Sequence, residues 1–200
     1  QVQHIRRLLE EFTEPCHIVM SGNGDPLASA IMRPLIREFR PGANQTIRLF
    51  TNGLLLKKQL DDSPILNNIT QYFISIDAGS ADVYEQVRLG GQWSQLIANL
   101  TWLQNTAKRT GAEVLLKFVL QKDNYQDMQN FCQLCVDMGF SGVINRLEDW
   151  GTWADYNQHD VIGNINHADH QAAMYFLAST YSEYAGRIQF NSSLEKLCRQ

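Results

Sequence analysis

Five short clusters hold the residues best suited to chemistry in this sequence of 200 residues. Ser21-Gly22-Asn23-Gly24-Asp25-Pro26 joins two glycines, which let a backbone approach a ligand closely, to a carboxylate. Asp25-Pro26 has a second reading, a helix N-cap followed by proline at the first helical position. Thr51-Asn52-Gly53 is the next cluster, and Ser75-Ile76-Asp77 the third. Asp77 either faces a ligand or caps a turn at Ala78-Gly79. Gln121-Lys122-Asp123-Asn124 and Asn145-Arg146-Leu147-Glu148 complete the set. Lys117 stands between apolar neighbours, where burial is costly unless the ammonium meets an anion. It therefore suits a carboxylate or phosphate, or else it snorkels at an edge.

The elements that must position these residues follow from periodicity. Short runs rich in Val, Ile, Leu and Phe at 17–21, 46–51, 72–77, 113–120 and 142–147 read as buried parallel strands. In 72–77, Phe73, Ser75 and Asp77 share one face while Tyr72, Ile74 and Ile76 share the other. In 113–120, Val114, Leu116, Phe118 and Leu120 oppose Leu115, Lys117 and Val119. Residues 4–12, 27–39, 93–109 and 125–138 carry apolar residues at helical spacing, with Pro34 expected to kink or split the second. The alternation of helices and strands predicts an α/β fold with a parallel sheet, an open doubly wound sheet or a closed or partial barrel. In such folds the active site lies at the carboxyl ends of the strands, where all five clusters fall. After Trp150 the sequence turns polar. Residues 1–153 are expected to form a barrel core. Residues 154–200 are expected to form a polar tail with a helix at about 169–184 and a short strand in Arg187-Ile188-Gln189-Phe190, as an appended or auxiliary segment.

The remaining chemistry-bearing residues read as structural. Cys132 and Cys135 form a C-x-x-C on the apolar face of a helix, not in the loop that a redox or metal motif prefers. Cys16 and Cys198 stand alone. His159, His167 and His170 match no zinc spacing and read as solvated, so no metal ligand is assigned within the chain. An even cysteine count fits disulfides in a secreted protein, but nothing else points to secretion, and a reducing cytoplasm is expected. A net charge of −4 gives no nucleic-acid or anionic-membrane partner. No apolar run approaches the ~20 residues of a membrane helix.

Taken together, the motifs resemble the radical S-adenosylmethionine (radical SAM) superfamily from about residue 17 to 153. Ser21–Pro26 is similar to the Gly-Gly-Glu-Pro motif after that family's second strand. Leu49-Phe50-Thr51-Asn52-Gly53 is similar to the end of its third. The segment 74–88 resembles its fourth strand and following helix, and 114–143 its fifth strand, helix and sixth strand. The resemblance implies a partial (β/α)6 TIM-like barrel, with S-adenosylmethionine and a four-iron four-sulfur cluster as cofactors. It implies one-electron cleavage to a 5′-deoxyadenosyl radical acting on a small molecule or peptide, with an electron donor as partner. It implies Asn23, Gly24 and Asp25 at the methionine amino group, with Gly22 and Asn52 as further cofactor-binding residues. Ser75 and Asp77 fall at the ribose or substrate, Lys117 at the carboxylate, and Asn145 and Arg146 near the adenine. Asn23 and Asp25 depart from the family's glycine and glutamate, the carboxylate reaching one methylene less far. The family's C-x3-C-x2-C is absent. The first strand and the cluster loop are therefore expected upstream of Gln1, which would leave these residues inactive alone. Two other readings stay open: a degenerate barrel that binds a nucleotide or metabolite without catalysis, and a lyase using Lys117 as a Schiff-base nucleophile.

Overall fold

The computed structural model describes residues 2–22, 24–151 and 153–199. Six strands, β1 (Cys16–Met20), β2 (Gln45–Thr51), β3 (Ile69–Ser75), β4 (Glu113–Leu120), β5 (Ser141–Arg146) and β6 (Ile188–Phe190), form one sheet in sequential order. The strands are parallel and the sheet is not closed, as in a partial TIM-like barrel. Helices connect them: α1 (Val2–Glu11), α2 (Met32–Glu38), α3 (Leu56–Leu60), α4 (Ala81–Val87), α5 (Trp93–Thr110), α6 (Met128–Met138), α7 (His170–Tyr184) and α8 (Ser192–Cys198). The chain divides into two compact units, each made of two sequence segments. Unit 1 is residues 1–75 and 95–115, and unit 2 is residues 76–94 and 116–200.

In unit 1 the alternation along β2 and β3 sorts the side chains. Ile47, Leu49, Tyr72 and Ile74 are fully buried, as are Leu56 of α3 and Leu96, Leu100 and Leu103 of α5. On the opposite face of the two strands Phe50 and Phe73 stack at 4.3 Å. Buried Gln45 closes the end of α1. Its Nε2 donates to the carbonyls of Leu9 (2.7 Å) and Phe12 (3.0 Å), groups that a helix C-terminus leaves unpaired. α2 is shorter than the expected 27–39. It starts at Met32, so Pro34 lies in its first turn, where a missing N–H costs nothing. Residues 27–31 form turns instead, with the N–H groups of Ala28 and Ser29 donating to the Asp25 carbonyl.

In unit 2 the apolar stripe of α6, Met128, Phe131, Cys132 and Cys135, is buried. Phe131 packs on Phe118 of β4 with ring centroids 5.1 Å apart. Gly139 takes a left-handed φ of 67° and ends α6, its N–H reaching the Val136 carbonyl. Buried Asp127 reaches across the sequence to the start of α4, accepting from the N–H groups of Gly79 (2.6 Å) and Ser80 (3.1 Å). Residues 154–200 belong to this same unit. β6 pairs with β5 in parallel, Ile144 opposite Phe190. The strand expected at 72–77 runs from 69 to 75. Beyond it, the N–H groups of Ile76 and Asp77 both donate to the Lys117 carbonyl, and Asp77 adopts φ 56°. That conformation breaks the extended backbone before the aspartate.

Candidate functional site

At the strand ends of unit 1, Asp25 is the centre of a bonding knot. Its Oδ2 accepts from Thr51 Oγ1 and from the Asn52 N–H, both at 2.6 Å, and its Oδ1 accepts from the Leu27 N–H at 2.8 Å. Each is strengthened by the carboxylate's charge. Thr51 Oγ1 also accepts from the Gly53 N–H (3.2 Å), and the Asn52 side chain accepts from the Leu54 N–H (3.0 Å) as an Asx turn. Gly53 has to be glycine. Its φ is +83°, and a Cβ would lie 3.0 Å from both Ile74 and Leu96. Gly22 and Gly24 are exposed, and a Cβ at either would meet nothing within 4 Å among the described residues. Asn23 lies outside the described residues. Ser75, the last residue of β3, is half-buried.

Unit 2 presents a cavity of about 570 Å³ at the carboxyl ends of β4 and β5. Asp77, Lys117, Asn145 and Arg146 all line it. Asp77 is only 8% exposed. Its Oδ1 accepts from the Val119 N–H at 2.8 Å, its Oδ2 pairs with Arg88, and its carbonyl accepts from Asn124 Nδ2 at 3.0 Å. Asn124 also receives the Gln121 N–H (2.8 Å) and donates to the Val119 carbonyl (2.9 Å), pinning the turn after β4. Burial pushes the Asp77 carboxyl above its ordinary pKa, and Arg88, the Val119 N–H and Lys117 act against it. A non-glycine residue held left-handed in a buried position stores strain that its surroundings must hold in place.

Two further groups shape the cavity. Gln121 lines it at 7% exposure, and its buried Oε1 has no hydrogen-bond partner among the described residues. Arg146 is braced from behind by Asp160, 3.2 Å away and 3% exposed. Asp160 also accepts from the N–H of Gly163 (2.7 Å) and from the hydroxyl of Tyr156 (3.1 Å), whose single hydrogen is shared with the Leu147 carbonyl (2.9 Å). Burial and the Asp160 carboxylate push the Tyr156 phenol up to about 12, so it stays a donor. Trp150 and Trp153 stand at the wall, Trp153 tilted by 30° over His159 with centroids 3.8 Å apart.

Of the expected site residues, the structure gathers Asp77, Lys117, Asn145 and Arg146 in one cavity and Asp25 with Asn52 in a separate knot. Arg88, Trp150, Trp153 and Asp160 were not expected. Arg88 ends a short helix without any local motif, while the two indoles so close in sequence are a signal that could have marked the wall. The histidines, read as solvated, are structural. His170 Nδ1 bonds the Val161 carbonyl (2.9 Å), His167 bonds the Gln158 carbonyl (3.0 Å), and His159 lies under Trp153. Cys132 and Cys135 are core residues as read, with burial pushing the Cys132 thiol up to about 12 and Cys135 higher still. Among the described residues no group of three or more His, Cys, Asp or Glu could hold a metal ion. No helix among them is long and apolar enough to cross a membrane.

Compared with family models and with curated protein sequences, the chain matches none. Solved structures do match. SuiB of Streptococcus suis bound to S-adenosylmethionine aligns with a TM-score of 0.53 at 13% identity over 87% of this chain and 36% of that one. Native anSMEcpe with S-adenosylmethionine bound aligns at 0.57 and 14% identity, over 95% and 53% of the two chains. A radical SAM methyltransferase from Sphaerobacter thermophilus aligns at 0.51 and 17% identity, over 97% and 57%. This chain has a radical SAM-like fold. It spans between about a third and three fifths of the radical SAM-like structures it matches. At these identities the likeness concerns the fold, and the chemistry rests on the cavity.

Proposed function

We propose that this chain is the barrel core of a radical SAM enzyme and that its unit 2 cavity holds S-adenosylmethionine. The observation that carries the reading is the convergence of Asp77, Lys117, Asn145 and Gln121 on one cavity at the strand ends. Their chemistry suits a ligand with hydroxyls, a carboxylate and amino groups. Asp77 accepts from hydroxyls, Lys117 meets a carboxylate, and the unpartnered Gln121 oxygen takes an N–H donor. The structures of SuiB and anSMEcpe with S-adenosylmethionine bound support the same ligand.

When bound beside a reduced four-iron four-sulfur cluster, S-adenosylmethionine supplies a 5′-deoxyadenosyl radical in enzymes of this fold. The cysteines here do not fit that cluster. Cys132 and Cys135 are buried thiols on one helix, and Cys16 and Cys198 stand apart from them in sequence. Its ligands are therefore proposed to come from outside these residues. What this chain supplies is binding and orientation, with the buried Asp77–Arg88 pair and the Asn124 turn fixing the cavity floor.

Calorimetric titration with S-adenosylmethionine and with S-adenosylhomocysteine tests the binding. Saturable binding is expected, weakened about tenfold by Lys117→Ala, as befits loss of a charged contact. No binding of either compound sinks the reading. The catalytic part is tested on the intact natural protein, reconstituted anaerobically with iron and sulfide, by the appearance of 5′-deoxyadenosine. The commitment of Asp25 to Thr51, Asn52 and Leu27 favours a second reading, a module that binds a nucleotide or metabolite without radical chemistry. Tight cofactor binding without cleavage, with a cluster in place and candidate substrates supplied, would select it.

A further inference from the structure

We propose that Arg146, Trp150 and Trp153 form a second subsite in the unit 2 cavity, for a substrate group that joins a planar ring to an anionic oxygen group, a carboxylate or a phosphate. The inference rests on the reading of this cavity as the active site, and it adds the class of molecule that the site takes beside its cofactor.

The argument starts from how the arginine is held. The Arg146 side chain is 38% exposed and lines the cavity, while its Nη2 faces Asp160 at 3.2 Å. Asp160 is itself fixed at four points. Its Oδ1 accepts from the N–H groups of Ile162 (3.2 Å) and Gly163 (2.7 Å), and its Oδ2 from Arg146 and the Tyr156 hydroxyl. A Cβ on Gly163 would lie 1.7 Å from Arg146 Nη2, so the guanidinium rests directly against bare backbone. One edge of the guanidinium is thus clamped, and the rest of its planar fork is left on the cavity side. A fork fixed in this way recognises two anionic oxygens at once, with little rotamer freedom left to lose.

The second half of the subsite is aromatic. Trp153 lines the same cavity and packs at a 30° tilt against His159, whose carbonyl in turn accepts the Lys122 N–H at 3.0 Å. An indole backed by another ring and anchored to the β4 turn is a rigid platform for a flat group. Trp150, 78% exposed, is a large apolar side chain left at the mouth. Of the neighbouring carboxylates, Asp77 is engaged by Arg88 and the Val119 N–H, Asp160 stands behind the guanidinium, and Glu148 is the remaining acid of the lining. A ring stacked on Trp153 and carrying a carboxylate or phosphate would satisfy both walls.

The test uses the chain saturated with S-adenosylhomocysteine. The probes are benzoate, phenyl phosphate, acetate and benzyl alcohol, followed by calorimetry. Benzoate or phenyl phosphate is expected to bind saturably, and whichever is tighter identifies the anion. Acetate, without a ring, and benzyl alcohol, without a charge, should each bind at least about tenfold more weakly. Arg146→Gln and Trp153→Ala should each cost about tenfold in affinity for the preferred probe, and Arg146→Lys should not restore it. Asp160→Asn, which removes a positioning residue, should narrow the preference for benzoate over benzyl alcohol, a ratio that a purely structural role would leave alone. Thermal unfolding checks that each variant is folded, and Tyr156→Phe offers a milder loosening of the same brace with the same expected direction. Equal affinity for benzoate and benzyl alcohol, or no saturable binding of any probe, overturns the proposal. So does loss of S-adenosylhomocysteine binding in Arg146→Gln with benzoate unaffected, since the arginine would then serve the cofactor. If S-adenosylhomocysteine fails to bind while the aromatic anions bind as described, the cofactor reading falls and the subsite stands.

Discussion

Asp25 and Asp77 occupy equivalent places, each just beyond the end of a strand, yet they do different work. Asp25 spends both carboxylate oxygens on its neighbours, receiving Thr51 Oγ1, the Asn52 N–H and the Leu27 N–H. Asp77 receives one backbone N–H and an arginine, and it lines a cavity. The first is a latch between two turns. The second is the floor of a binding space. A carboxylate at a strand end is therefore ambiguous until its partners are counted, and the backbone N–H groups that claim Asp25 leave no trace in the sequence.

The comparison can be broken most sharply at Asp25. Asp25→Ala removes three charge-assisted bonds and should cost about 3 kcal/mol, read by urea unfolding. S-adenosylhomocysteine affinity in the molecules that stay folded should be unchanged. A variant of normal stability would show that the knot holds nothing. Gly53→Ala, in the same knot, should cost about 2 kcal/mol, because it needs a left-handed φ and presses on Ile74 and Leu96. Asp77→Asn should reverse the pattern. Asparagine tolerates the left-handed backbone, so stability should fall by only about 1 kcal/mol, while S-adenosylhomocysteine binding weakens about tenfold. Equal loss of stability in Asp25→Ala and Asp77→Asn would erase the distinction between latch and floor.

The smallest effect separates core from site by pH. Burial raises the Cys132 thiol from 9.0 to about 12. Its neutral form is the one the fold favours, so its contribution is complete below the unfolded thiol's pKa and is lost as pH climbs through the folded value. The thermal midpoint should fall between those two values, and Cys132→Ala should flatten part of that slope. An unchanged slope in the variant would place the alkaline sensitivity elsewhere, with Tyr156 the next group to test.

Much of the fold was legible from alternation alone. β4 runs from 113 to 120 as expected, with Val114, Leu116, Phe118 and Leu120 buried and Lys117 on the other face. Apolar periodicity reports such burial directly, because a strand's two faces differ in every second residue. The sequence also placed Asp77, Asn145 and Arg146 at strand ends and Lys117 on one face of a strand, and the cavity gathers them. It did not show what Asp77 and Arg146 would be paired with. Arg88 lies 11 residues from Asp77, and Asp160 lies 14 from Arg146. Pairings at that range depend on how loops fold back, which no local period encodes. His167 and His170 were misread for the same reason, since their ring partners are backbone carbonyls nine residues away.

The path of the chain has a consequence for how this protein folds. It passes from one unit to the other after residues 75, 94 and 115, so neither unit is a continuous stretch. The contact between Gly79 and Asp127 closes a separation of 48 residues, and part of the chain in between belongs to unit 1. A Cβ on Gly79 would lie 2.0 Å from the Phe131 nitrogen, so only glycine allows the two backbones to come this close. A ribosome cannot finish one unit before beginning the other, and no single proteolytic cut releases either intact. Long loops must close before the rewarding contacts exist. Folding should therefore be slow and concerted, a single cooperative transition in place of two beads melting in turn.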